Sequence, residues 1–157
     1  MTSDWAVQVI EYAKHFKYLI VGGDSLGTDK MIRRIADNEV GAVMAILWYS
    51  QGVGNQEFSV QAQQLWGNSV NWHTALAYDA TRAVLTALEK LPSPNRVNLR
   101  QVMANPNFKA TGATGTITFE KDGDRQESTI HLVKVVRNPT TGKPELIPLV
   151  KSQPKID

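Results

Sequence analysis

The chain of 157 residues has no cysteine. Disulfides, thiol nucleophiles and thiolate zinc sites are therefore excluded, and the redox compartment is left undetermined. Charge of one sign is also scarce: 17 basic and 15 acidic residues are mixed along the chain for a net charge of +2, so no basic stripe marks a nucleic-acid face. No apolar run approaches the roughly 20 residues that cross a bilayer. The longest is Ala42 to Tyr49, and Met1-Thr2-Ser3-Asp4 lacks the basic start of a signal peptide. There is no internal repeat and no low-complexity segment. The composition, 42% hydrophobic and 20% charged, is that of a globular domain with a core of its own.

Catalytic and metal patterns are thin as well. His15, His73 and His131 fall on three separate predicted elements, none with a second ligand at metal spacing. Asp122, Asp124 and Glu127 echo a calcium loop, but the twelve-residue pattern with its terminal glutamate is absent, and a hairpin turn is the better reading. Gly22-Gly23-Asp24-Ser25-Leu26-Gly27 lacks the Lys-Ser/Thr of a phosphate loop and the dinucleotide fingerprint. No serine sits on a nucleophile elbow. These residues point away from an enzyme, a bound cofactor or a metal site.

What the chain does have is alternation of helix and strand. Ser3 or Asp4 is placed to cap a first helix with Ala6, Val9, Ile10, Ala13 and Phe16 on its apolar face. Tyr18 to Val21 reads as a buried parallel strand ending in two glycines. A second helix, capped by Thr28 or Asp29, turns Ile32, Ile35 and Ala36 inward, and Val40 to Tyr49 is a second apolar strand. Helix, strand, helix, strand in that order predicts an α/β lobe with parallel strands. After a loop holding Gly52 and Gly54, Phe58, Ala62, Leu65 and Trp66 form one helical face stopped by Gly67.

The long helix from Trp72 to Leu91 organises the second half of the chain. Ala77, Thr81, Val84, Leu88 and Leu91 make its predicted core stripe, with Arg82, Glu89 and Lys90 off it. Pro92-Ser93-Pro94-Asn95 ends it, and Asn98 is placed to cap a short helix through Met103. Thr116 to Glu120, a turn at Asp122-Gly123, a strand from Thr129 to Arg137 and a third from Leu146 to Val150 complete the chain, with a polar tail from Lys151.

This order, from the Tyr78-Asp79-Ala80 start through Thr111-Gly112-Ala113-Thr114-Gly115-Thr116-Ile117-Thr118-Phe119 to Asp122-Gly123-Asp124-Arg125, resembles the C-terminal half of the type I periplasmic solute-binding proteins. These are the branched-chain amino-acid-binding receptors of ABC transporters. The resemblance implies a partial fold of that type: a mostly parallel sheet with flanking helices and a C-terminal β-hairpin. It assigns residues 4–49 to the second lobe, 50–56 to a hinge or crossover, 57–110 to the helical part of the first lobe, 111–150 to a crossover and hairpin returning to the second lobe, and 151–157 to a tail.

In an open α/β sheet, ligands lie beyond the carboxyl ends of the strands. Two segments meet that description. Gly22-Gly23-Asp24-Ser25 sets a carboxylate and a hydroxyl at one strand end, and the resemblance implies that Asp24 holds a ligand's α-ammonium group. Trp48 and Tyr49 end the other strand, either as aromatic walls over an apolar ligand or as the last residues of the sheet core. Ser50, Gly52 and Gly54 fit a hinge. For Tyr78 and Asp79 the reading is structural: Tyr78 packs and Asp79 caps or braces a neighbouring segment.

The resemblance further implies the substrate-binding component of an ABC-type amino-acid transporter, with a small solute as ligand, an ABC permease as partner and an extracytoplasmic location. The alternative is a ligand-sensing domain of the same fold in a signalling receptor. Two half-lobes leave open strand edges and uncovered helices, so self-association or a separately supplied N-terminal half is expected.

Overall fold

The computed structural model describes residues 3–52, 56–67, 70–126 and 129–149. The chain divides into two compact units: one holds the chain up to Gln51 and from Ile130 onward, the other holds Gly52–Thr129.

The first unit contains α1 (Ser3–Phe16), β1 (Ile20–Gly22), α2 (Asp29–Asp37), β2 (Ala42–Ile46), β5 (His131–Arg137) and β6 (Pro144–Pro148). Thr28 caps α2, its hydroxyl accepting from the Met31 N–H. Both helices close alike. Lys17 and Glu39 take left-handed φ values of 55° and 54°, and the Tyr18 and Val40 N–H groups donate back to the Ala13 and Ile35 carbonyls. This Schellman closure satisfies the orphan carbonyls and turns the chain straight into the next strand.

The sheet order is β1-β2-β5-β6. β1 and β2 are parallel, with Val21 beside Val43, as the right-handed crossover predicts. β5 runs antiparallel to β2, and β6 antiparallel to β5. The sheet is therefore mixed, a correction to the expectation of a mostly parallel one. The C-terminal hairpin is β5–β6, turned at Asn138 to Lys143, where the Asn138 carboxamide oxygen accepts from the Thr140 and Thr141 N–H groups.

Alternation along the strands sends Ile20, Ala42, Met44, Ile46, Val133 and Val135 to the face that packs on Ile10, Ala13, Met31 and Ile35. On α1, Val9 and Phe16 do not join this core; both are 46% exposed. Met31 takes an inward place that the sequence pattern did not give it. The opposite sheet face leaves Val21 73% and Leu132 50% exposed, so α1 and α2 cover one side only.

The second unit contains α3 (Gln56–Trp66), α4 (Trp72–Leu88), α5 (Arg96–Met103) and the ribbon β3 (Ala110–Gly112) and β4 (Gly115–Ile117). Asn71 caps α4, accepting from the His73 and Thr74 N–H groups. The buried face of α4 is Ala75, Asp79, Ala83 and Ala87, not the predicted stripe, of which Ala77, Thr81 and Val84 face outward. The small side chains let the helix approach the ribbon closely, and Phe108, Ala110 and Ile117 fill against Ala83 and Ala87. On α3, Ala62 is buried, whereas Leu65 and Trp66 are exposed. Asn95, rather than Asn98, caps α5; Asn98 closes the capping box by accepting from the Asn95 N–H at 2.8 Å.

Among the described residues of this unit Asp79 is the buried charge, 3% exposed. Its carboxylate accepts from the Ala113 N–H at 2.5 Å, from the Thr114 N–H at 3.3 Å, from the Thr114 hydroxyl, and from Arg125 at 2.9 Å. The brace ties residues 113 and 114 to α4, and Tyr78 packs on Phe58 with ring centroids 4.9 Å apart. The turn at Asp122-Gly123 is present, with Gly123 at φ +97° and a bridge from Phe119 to Arg125. It closes a short loop and does not lead into β5. Residues 111–129 thus stay with α4, and the chain returns to the first unit only at Ile130.

Candidate functional site

Because β1 and β2 are parallel neighbours, the segments after them emerge at one edge of the first unit, about 4.8 Å apart at the strand level. After β1 the chain makes a 3₁₀ turn over Asp24–Leu26, closed by the Gly27 N–H donating to the Asp24 carbonyl at 2.7 Å. The Leu26 side chain folds back over Gly22, where a Cβ would lie 2.5 Å from one of its methyls and would make that side chain shift. Asp24 is half-buried and Ser25 exposed.

After β2 come Trp48 and Tyr49, 1% and 7% exposed, with Tyr49 a member of the first unit's core. Ser50 is half-buried and Gly52 buried, whereas Gly54 lies outside the described residues.

The antiparallel pairing adds a residue that sequence reasoning missed. His131 opens β5 opposite Ile46, at the same end of the sheet, and its ring meets Tyr49 edge-on with centroids 5.3 Å apart. Burial lowers its pKa from the ordinary 6.5, so the ring is neutral at neutral pH. A lone histidine at the start of a strand carries no sequence signal. Only the pairing of residues 46 and 131, 85 positions apart in sequence, places it here.

The first unit thus gathers a carboxylate, a hydroxyl, two aromatic residues and a neutral imidazole at the carboxyl ends of its parallel pair. Asp24 and Ser25 can accept from a cationic donor there, whereas Trp48 and Tyr49 are almost wholly buried. Among the described residues no group of three or more His, Asp or Glu side chains lies at metal-binding distance. A cavity of about 580 Å³ opens at the opposite, amino end of the same strands, between Lys14, Tyr18, Leu19 and Val40. It takes no part in this cluster.

No protein-family model and no curated protein sequence matches the chain. Solved structures do match it in three dimensions. An ABC transporter substrate-binding protein from Sphaerobacter thermophilus superposes with a TM-score of 0.71 at 20% identity, over 95% of this chain and 42% of its own. The leucine-binding protein LivK from Thermotoga maritima gives 0.68 at 17% identity, over 92% and 41%. A solute-binding protein of an ABC transporter from R. palustris, in complex with benzoate, gives 0.66 at 14% identity, over 91% and 39%.

The chain has part of the type I periplasmic binding-protein fold. It spans about two-fifths of the length of these solved structures. The three are binding proteins by name, one for leucine and one holding benzoate. No helix among the described residues is long and apolar enough to cross a membrane.

Proposed function

We propose that the chain is the C-terminal portion of the substrate-binding component of an ABC-type amino-acid transporter, a binding protein and not an enzyme. The observation that carries this is the gathering of Asp24, Ser25, Trp48, Tyr49 and His131 at the carboxyl ends of a parallel strand pair, in a chain of this fold. Asp24 accepts from a ligand ammonium, Ser25 adds a hydroxyl, and Trp48 and Tyr49 form the apolar wall, in a cleft between the lobes of the complete protein. Ser50, Gly52 and Gly54 act as a hinge, a reading supported by the passage from the first unit to the second between Gln51 and Gly52. The complete protein works outside the cytoplasm and hands its solute to an ABC permease.

Calorimetric titration of the purified chain with leucine, and with benzoate as a ligand that lacks an ammonium group, tests the reading. Leucine is expected to bind, and Asp24→Asn to weaken it by about tenfold or more, since a charge-assisted bond is lost, while benzoate is unaffected. Leucine binding unchanged by Asp24→Asn would remove the role given to Asp24. No heat and no thermal shift with any amino acid would remove solute binding from this chain.

A further inference from the structure

Helix α1 is apolar on two faces, where an amphipathic surface helix is apolar on one. Ile10 and Ala13 are buried against the sheet. A second row, Trp5, Val9, Tyr12 and Phe16, runs in steps of four, three and four, which at 100° per residue keeps it within an arc of about 60°. This row faces solvent: Trp5 is 67% and Tyr12 66% exposed, with Val9 and Phe16 also open. The aromatic surface is continuous from Tyr12 to Tyr18. Tyr12 and Phe16 have ring centroids 5.0 Å apart, and Phe16 stacks on Tyr18, itself exposed, at 5.6 Å. Scattered apolar residues on a surface mean nothing, but a contiguous row without a charge in it marks an interface.

We infer that this row is where a second copy of the chain docks, through an antiparallel pairing of the two α1 helices about a two-fold axis. The five side chains expose on the order of 600 Å². With the polar rim around them, that approaches the roughly 800 Å² that each partner contributes to a standard interface. The row is also self-complementary. Its midpoint falls between Val9 and Tyr12, so an antiparallel crossing sets the small Val9 of each copy against the large Tyr12 of the other, and Trp5 against Phe16 and Tyr18. Charge selects the direction. Lys14, His15 and Lys17 crowd the end of the helix, whereas Glu11 and Asp4 precede them in sequence. A parallel pairing would bring two basic ends together, and an antiparallel one separates them and opposes the helix dipoles.

The test is the mass of the full chain by light scattering over a concentration series, with Tyr12→Glu as the disruptive variant. The expected result is a dimer of the 17.4 kDa chain at tens of micromolar, with a dissociation constant raised about tenfold or more by Tyr12→Glu at unchanged circular dichroism. A chain that stays monomeric throughout, its row covered in the complete protein by other sequence, would overturn the inference. So would a dimer indifferent to Tyr12→Glu. Because the chain has no cysteine, Val9→Cys and Tyr12→Cys give an independent readout. Mixed together under oxidation they should crosslink to each other in preference to themselves, and crosslinking of like with like would refute the antiparallel arrangement.

Discussion

Replacing Asp79 with alanine tests the reading of the second unit most directly. The carboxylate is the acceptor for two backbone N–H groups, one hydroxyl and a guanidinium. The Ala113 N–H lies in a buried bond, and leaving it without an acceptor costs about 1–3 kcal/mol. The Thr114 hydroxyl can rotate, and the Arg125 side chain is 21% exposed, so each loses less, about 0.5–1.5 kcal/mol. The three sum to about 2–6 kcal/mol, and a conservative figure near 3 kcal/mol sits at the lower end of what breaking a buried ion pair costs, about 3–5 kcal/mol. For a unit of this size it corresponds to a fall in Tm on the order of 15 °C. Urea unfolding followed by circular dichroism measures the free energy, and hydrogen exchange at the Ala113 and Thr114 amides locates it. Arg125→Ala should cost less than Asp79→Ala, and the double variant less than the two together, because both act through one network. A loss below about 1 kcal/mol for Asp79→Ala, with exchange at the two amides unchanged, would refute the argument.

Two further outcomes rest on named contacts. Gly112→Ala directs a Cβ into the Asp79 carboxylate and to 2.9 Å from the Ile117 Cδ1, so it should cost about 1–3 kcal/mol by urea unfolding, and less in the Asp79→Ala background. For His131 the folded pKa lies below the unfolded value of 6.5, so as pH falls through 6.5 the unfolded chain takes up a proton first. Stability should therefore decline below that pH and level off once the folded pKa is passed, with no contribution above it; His131→Phe should flatten this slope in thermal melts from pH 7.5 to 4.5, and an unchanged slope would exclude His131 as its origin.

Local order was the legible part of this chain. The cap at Thr28 or Asp29, the start of α4 at Trp72, the stop at Gly67 and the strands through Val21 and Ile46 depend on residues within a few positions of each other, so backbone sterics and capping chemistry announce them. Asp79 was legible as a cap or brace of a neighbouring segment, but its place on the buried face was not, since the predicted stripe runs through Ala77 and Thr81. The face of α4 was not legible. Apolar residues lie all round that helix, and periodicity cannot choose between a stripe of Val84 and Leu88 and one of Ala83 and Ala87.

By itself, then, the sequence determined the helices and most of the strands, though not β3, together with the absence of thiol chemistry and the two strand ends that carry Asp24 and Trp48-Tyr49. Tertiary structure decided what non-local pairing decides. It put β5 antiparallel beside β2 and so brought His131 to Tyr49, kept residues 111–129 with α4 through the Asp79 brace, and left one row of α1 facing solvent. The physical reason is common to all three. A helix or strand can be inferred from interactions inside it, but its neighbours are set by burial and hydrogen bonding across the chain, which local spacing does not encode.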